Sequence, residues 1–402
     1  MFTRRTFARA GLGASLGGGL AALTSCSGRE SASGFPGYAF VANQAGGAIA
    51  AVDLGVFAVA RHIRVDGAPT AVLANPRNLR VYALTPDNGC VHEIGAGNLT
   101  FARKLRVAAS ALQMRLSPAR DALYVLCAQP KQLVRVVLRE HGPAAGPALR
   151  VAWSVSLPDD PADFDISPDG RTAAVSSAAG SLTFLDLTAP RLFPPVRADG
   201  ELGLVRFQPY HGDAARARSD SEQLIAANVS RSMLSVFHVP SRRLMVNLPL
   251  AVRPDHLCFN SDGGQVFVTG QGMDAVVVVY PYYTPQIGQT VLAGHSPGAM
   301  AASQSPGYLF VANPKSADVS ILDIETSKVL MVTPVGSEPG YIAITPDDRY
   351  ALILNQASGD MAVIRIPNVT SAAREERRWK KGPLFTLIPV GSKPVSAAVM
   401  PI

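Results

Sequence analysis

The amino-acid sequence predicts an all-β fold in which one four-strand unit repeats around a ring: a single β-propeller of eight four-stranded blades. Three observations lead there. An eight-residue window recurs eight times along the chain. Short apolar runs separated by Gly, Pro, Asn and Asp follow most of the windows. The last window stands where it can complete the unit that the first strand begins.

Composition sets the frame. The chain has 402 residues, 48% of them hydrophobic, which exceeds one ordinary core and calls for several domains or a repeat architecture. With 35 glycines, 31 prolines and only 17% charged residues, frequent turns between short strands are favoured over long helices.

The clearest window is Pro339-Gly340-Tyr341-Ile342-Ala343-Ile344-Thr345-Pro346. Copies in the same frame occupy residues 69–76, 111–118, 161–168, 202–209, 254–261, 297–304 and 394–401, about forty to fifty-five residues apart. A second strand follows, as in Val81-Tyr82-Ala83-Leu84 or Leu309-Phe310-Val311-Ala312-Asn313. A third is exemplified by Asp318-Val319-Ser320-Ile321-Leu322-Asp323-Ile324, and a fourth spans residues 329–335. Four short strands per unit is the arithmetic of propeller blades. Eight windows give eight blades; if one degenerate copy is not a repeat, the alternative is seven. The first strand, Tyr38-Ala39-Phe40-Val41-Ala42-Asn43, is of the second kind. The C-terminal strand is of the first kind, so pairing the two closes the ring and removes two free sheet edges.

Phe310-Val311-Ala312-Asn313, Val319-Ser320-Ile321-Leu322-Asp323, Val335-Gly336-Ser337-Glu338-Pro339 and Ile344-Thr345-Pro346-Asp347-Asp348 resemble the YVTN-type β-propeller repeat. The resemblance is specific for residues 308–348 and weaker over 38–402. It implies a propeller, within the lactonase-like and surface-layer group of exported proteins. It does not imply one activity, since fold and function separate.

Alternation sorts each window by face. The fourth and sixth positions are nearly all apolar, as in Phe164/Ile166 and Ile342/Ile344, and are expected to pack between blades. The third and fifth positions are mixed, and their polar members are the candidate lining of the central channel: Gln113, Arg115, Asp163, Asp165, Arg206, His256 and Tyr341. Arg115, Asp165 and Arg206 hold the same position in three successive units, so they should be neighbours. Two outcomes are open. They form an ion-pair ladder between blades, or a charged pocket in which Asp163 and His256 are the candidate catalytic acid/base groups.

No metal site is expected: His256 and His295 are the nearest pair by unit, and none of the seven histidines shows ligand spacing. No Gly-x-Ser-x-Gly elbow, phosphate loop or covalent haem motif occurs, and no cofactor is called for. Cys90, Cys127 and Cys258 fall in different units, against a disulfide framework.

The N-terminus reads as an address. Arg4, Arg5 and Phe7 resemble a twin-arginine export motif, with Ala8 where leucine is usual. A Gly/Ala-rich stretch and Leu23-Thr24-Ser25-Cys26 follow, resembling a lipobox that makes Cys26 the lipidated first residue. Residues 1–26 are thus a signal, 27–37 a flexible tether, and 38–402 the propeller. The net charge is +7, and removing Arg4, Arg5 and Arg9 leaves +4, which gives no case for nucleic acid. Two insertions stand out, residues 211–222 in the fourth unit and 374–381, assigned to the eighth.

The expectation is a monomeric cell-envelope scaffold, held to a bacterial membrane by lipid at its periplasmic or outer surface. It would bind an envelope protein or small-molecule ligand on one face. The alternatives are a lactonase-like hydrolase using the polar channel residues, and a redox propeller with a non-covalent cofactor.

Overall fold

The computed structural model describes residues 34–138, 149–209, 222–282, 284–369 and 382–402. These form eight antiparallel sheets arranged in a ring, an eight-bladed β-propeller with almost no helix. Blades one to eight are numbered by their innermost strands: Ala71–Asn75, Ser110–Leu116, Pro161–Ile166, Leu202–Phe207, Arg253–Phe259, Met300–Ala302, Pro339–Ile344 and Pro394–Pro401. Each inner strand contacts the next in this order, and the eighth contacts the first.

Burial follows from position in the blade. Second and third strands are covered on both sides by neighbouring blades and read as continuous apolar runs: Tyr308–Asn313 is buried throughout, and Ala275–Tyr280 nearly so. Outermost strands face water along one edge. Thr100–Arg106 carries Arg103, Lys104 and Arg106 there, charges that discourage pairing with another chain. The third blade departs from the pattern. Its outer strand is broken into Arg191–Leu192 and Val196–Arg197, both paired with Ser181–Asp186.

The eighth blade is built from both ends of the chain. Pro394–Pro401 pairs antiparallel with Gly37–Asn43, with Phe40 opposite Ala398 and Ala42 opposite Ser396. Phe35 is buried in the adjoining core, so packing begins a few residues before Tyr38.

The repeated phrases acquire physical meaning at the blade ends. Asn43, Asn228, Asn313 and Asn355 close their second strands and are fully buried. Asn43 Nδ2 donates to the Val390 carbonyl at 2.8 Å, and Asn228 Nδ2 to that of Asp199 at 2.8 Å. Asn355 Nδ2 donates to Asp360 Oδ1 at 2.6 Å. A glycine packs against each amide. A Cβ on Gly336 would stand 2.5 Å from Asn355 Nδ2, closer than any real contact. The Gly of Val335-Gly336-Ser337 and the Asn ending the second strand are therefore two halves of one contact.

Residues 374–381 lie outside the described residues, but their flanks correct the expectation. Leu384–Pro389 pairs with Asp360–Arg365 of the seventh blade, so this insertion lengthens the seventh blade, not the eighth. Most of the other insertion, residues 211–221, also lies outside the described residues. Its flanks join the first and second strands of blade four, as expected.

Candidate functional site

The inner strands bring Arg115, Asp163, Asp165 and Arg206 together. In six blades the pairing of first and second strands slips near the second window position, as between Pro161 and Asp163, Pro254 and His256, and Pro339 and Tyr341. Beyond the slip the pairing is regular, so Asp163 and Asp165 share the face toward blade four, where they accept the Val205 and Phe207 N–H groups. Asp163 is 1% exposed, so the next blade closes over it, where the window pattern placed it in the channel lining.

Asp163 is the hub. Its Oδ2 lies 2.5 Å from Arg206 Nη1 and accepts the Val205 N–H at 3.0 Å. Its Oδ1 accepts the Phe164 N–H at 2.8 Å and faces Arg115 Nη2 at 3.6 Å. Arg115 Nε donates to the Phe164 carbonyl at 2.6 Å and sits 3.3 Å from Asp165 Oδ1. The Arg115 guanidinium also lies over the Phe164 ring, 5.6 Å from its centroid. Asp165 Oδ2 accepts the Phe207 N–H at 2.9 Å. The Ser176 hydroxyl, accepting from the Asp163 N–H, donates to the Gly203 carbonyl at 2.6 Å. Each carboxylate and guanidinium of the four finds every partner beyond its own strand on a neighbouring blade. Burial pushes the Asp165 carboxyl above its ordinary range, against the pull of Arg115 and Arg206. Burial also opposes the Arg206 charge, but Asp163 and Asp165 together outweigh it and hold the guanidinium above its ordinary value. Two cations and two anions thus saturate one another across blades two, three and four.

The other candidates are dispersed. Tyr341 spans the closure, its hydroxyl donating to the Ala397 carbonyl at 3.1 Å, and burial raises its pKa. Ser396 beside it accepts the Val72 N–H of blade one at 3.3 Å. Gln113 is half-buried on blade two. His256 is half-buried on blade five beside Gly298 of blade six, and burial lowers its pKa against the opposing pull of Asp255. His295 instead pairs with Asp274. No group of three metal-ligating side chains occurs among the described residues. Cys26, Arg4, Arg5 and Phe7 lie outside the described residues.

Open concavities lie at the rim, on the face carrying the turns between first and second and between third and fourth strands. One of about 350 Å³ lies between blades three and four, lined by Arg171, Asp186, Phe193 and Arg242. A larger one of about 580 Å³ lies between blades five and six. The Tyr280 and Tyr282 rings stand in its wall, parallel to within 8° with centroids 6.3 Å apart. Window reading missed these groups because they belong to turns; the run Tyr280-Pro281-Tyr282-Tyr283 was the available signal.

No protein-family model and no curated protein sequence matches the chain. Solved structures do. Hydrazine synthase of Kuenenia stuttgartiensis is similar at 16% identity and a TM-score of 0.57, over 74% of this chain and 95% of that one. The dihydro-heme d1 dehydrogenase NirN, solved in complex with DHE, is similar at 14% identity and a TM-score of 0.66, over 90% and 74%. Sqt1 of Saccharomyces cerevisiae is similar at 12% identity and a TM-score of 0.65, over 81% and 86%. Likeness at this identity establishes the propeller fold and nothing finer.

Proposed function

We propose that this chain is an exported, lipid-anchored, monomeric propeller of YVTN type. It binds a small molecule or an envelope protein on its rim face and performs no chemistry at its axis. The observation that carries this is Asp163: it is buried and shared between Arg115 and Arg206. The charged cluster that links the inner strands of blades two, three and four is thus spent on joining blades, whereas a reactive carboxylate must reach substrate. The rim clefts are open and lined by aromatic and polar side chains. The export motif at Arg4 and Arg5 and the lipobox ending at Cys26 support the anchor, since several acyl chains hold a protein stably where one does not.

The anchor is tested by metabolic labelling with an alkyne fatty acid in the native host. The wild-type protein should take up label and sediment with membranes. Label retained by Cys26→Ala would refute lipidation at that residue.

A second reading, a redox propeller with a non-covalent cofactor, draws on the likeness to a protein solved with DHE bound. Its test is an absorption spectrum of protein purified from the native host. A chromophore that co-purifies in stoichiometric amount would favour it over binding alone.

A further inference from the structure

The cleft between blades five and six differs in charge from the rest of the molecule. The chain as a whole is basic, at +7, yet among the described residues the ionisable lining of this cleft includes the carboxylates of Asp262, Asp323 and Glu325 and no Lys, Arg or His. Among the described residues none of the three has an ion-pair partner. Asp262 Oδ1 accepts the Gly264 N–H at 2.8 Å, and Asp323 Oδ1 the Thr326 N–H at 2.7 Å. These backbone bonds fix the Asp262 and Asp323 carboxylates in place without a cationic partner.

The aromatic wall adds a second, independent recognition element. Tyr282 is 57% exposed, so much of its ring face is open to a ligand. Its position is nonetheless set. The Tyr282 carbonyl accepts from the buried Gln223 Nε2 of blade four at 2.9 Å. The absence of a side chain at Gly264 makes room for its hydroxyl, because a Cβ there would stand 3.0 Å from Tyr282 Oη. Tyr280 and Tyr282 also line a second hollow of about 350 Å³ with Thr284 and Gln286. The ring pair therefore forms a partition between two concavities rather than a floor.

Electron-rich ring faces beside unpaired carboxylates attract a cation whose hydration is weak enough to shed. An inorganic ion has no use for the rings, and an anion would meet only like charge. We infer that this cleft binds an organic ammonium ligand: a quaternary or primary ammonium on a small molecule, seated against Tyr282 with Glu325 and Asp262 as its counter-charge. This rests on the binding function proposed above and names its ligand class. Failure here would leave that function to its own turnover test.

The experiment is calorimetric titration of the folded protein with four probes. Tetramethylammonium is compared with neutral tert-butanol, and glucosamine with neutral glucose, which separates an alkylammonium source from an amino-sugar source. One cation should bind at least about tenfold more tightly than its neutral counterpart, and added salt should weaken it. Tyr282→Ala and Glu325→Gln should each weaken that binding about fivefold or more with the melting temperature unchanged. Equal affinity for cation and neutral control would overturn the inference. So would no binding of either cation up to about 100 mM, or wild-type affinity in both variants.

Discussion

Asp163 of the third blade and Arg206 of the fourth meet at 2.5 Å, with the carboxylate almost wholly withdrawn from water. Removing the anion leaves two cations to one carboxylate. Asp163→Ala leaves Arg206 facing a cavity and Arg115 with Asp165 alone, and should cost about 3–5 kcal/mol, the range for breaking a buried pair from one side. Replacing Asp163, Arg115 and Arg206 together by apolar residues of similar volume should cost less than this single change. Urea denaturation of the single and triple variants checks both the sign and the order.

Closure of the ring gives a second prediction. Truncation before Pro394 deletes the inner strand of blade eight and exposes the edge of Gly37–Asn43. The truncated protein should lose its single cooperative transition and aggregate, because an unpaired apolar edge is a template for association. Tyr341→Phe removes the hydroxyl's bonds to the Ala397 carbonyl and Ser396 and should cost about 1 kcal/mol. Thermal unfolding and light scattering distinguish the two.

Gly336→Ala tests the contact between the connector and the Asn that ends the second strand. The new methyl must displace the Asn355 amide, which is fully buried. Overpacking of this kind costs about 1–3 kcal/mol. Gly97→Ala, at a position with open space around it, is the control and should change the midpoint little.

Stability should depend on pH through His92. The ring is fully buried, shares a 3.0 Å hydrogen bond with Thr85, and has its pKa lowered by burial. The unfolded chain therefore binds a proton that the folded chain refuses. This contribution is fully present above the ordinary histidine range, near pH 6.5, and is lost as pH falls toward the lower folded-state value. His256, also lowered by burial, acts in the same direction. Denaturation midpoints between pH 7.5 and pH 5 should fall, and His92→Gln should flatten part of that slope.

The blade count, the closing strand pair and the apolar fourth position were legible because they depend on period and polarity alone. Phe164 and Val205 are fully buried as the alternation requires. Arg115, Asp165 and Arg206 were legible as neighbours because equal window positions become adjacent around a ring. The burial of Asp163 was not legible, since alternation assigns it a face but does not record which groups of the next blade will cover that face. The rim cleft was hidden for another reason. Its lining joins turns of two blades, from Asn260 to Glu325, and no local pattern records which turns will face each other.

The most direct test of an axis without chemistry is hydrolysis of a broad lactone and ester panel by purified residues 27–402, with and without divalent metal. The proposed binding function predicts turnover no greater than in buffer. Turnover that disappears in His256→Ala, with the melting temperature unchanged, would contradict it.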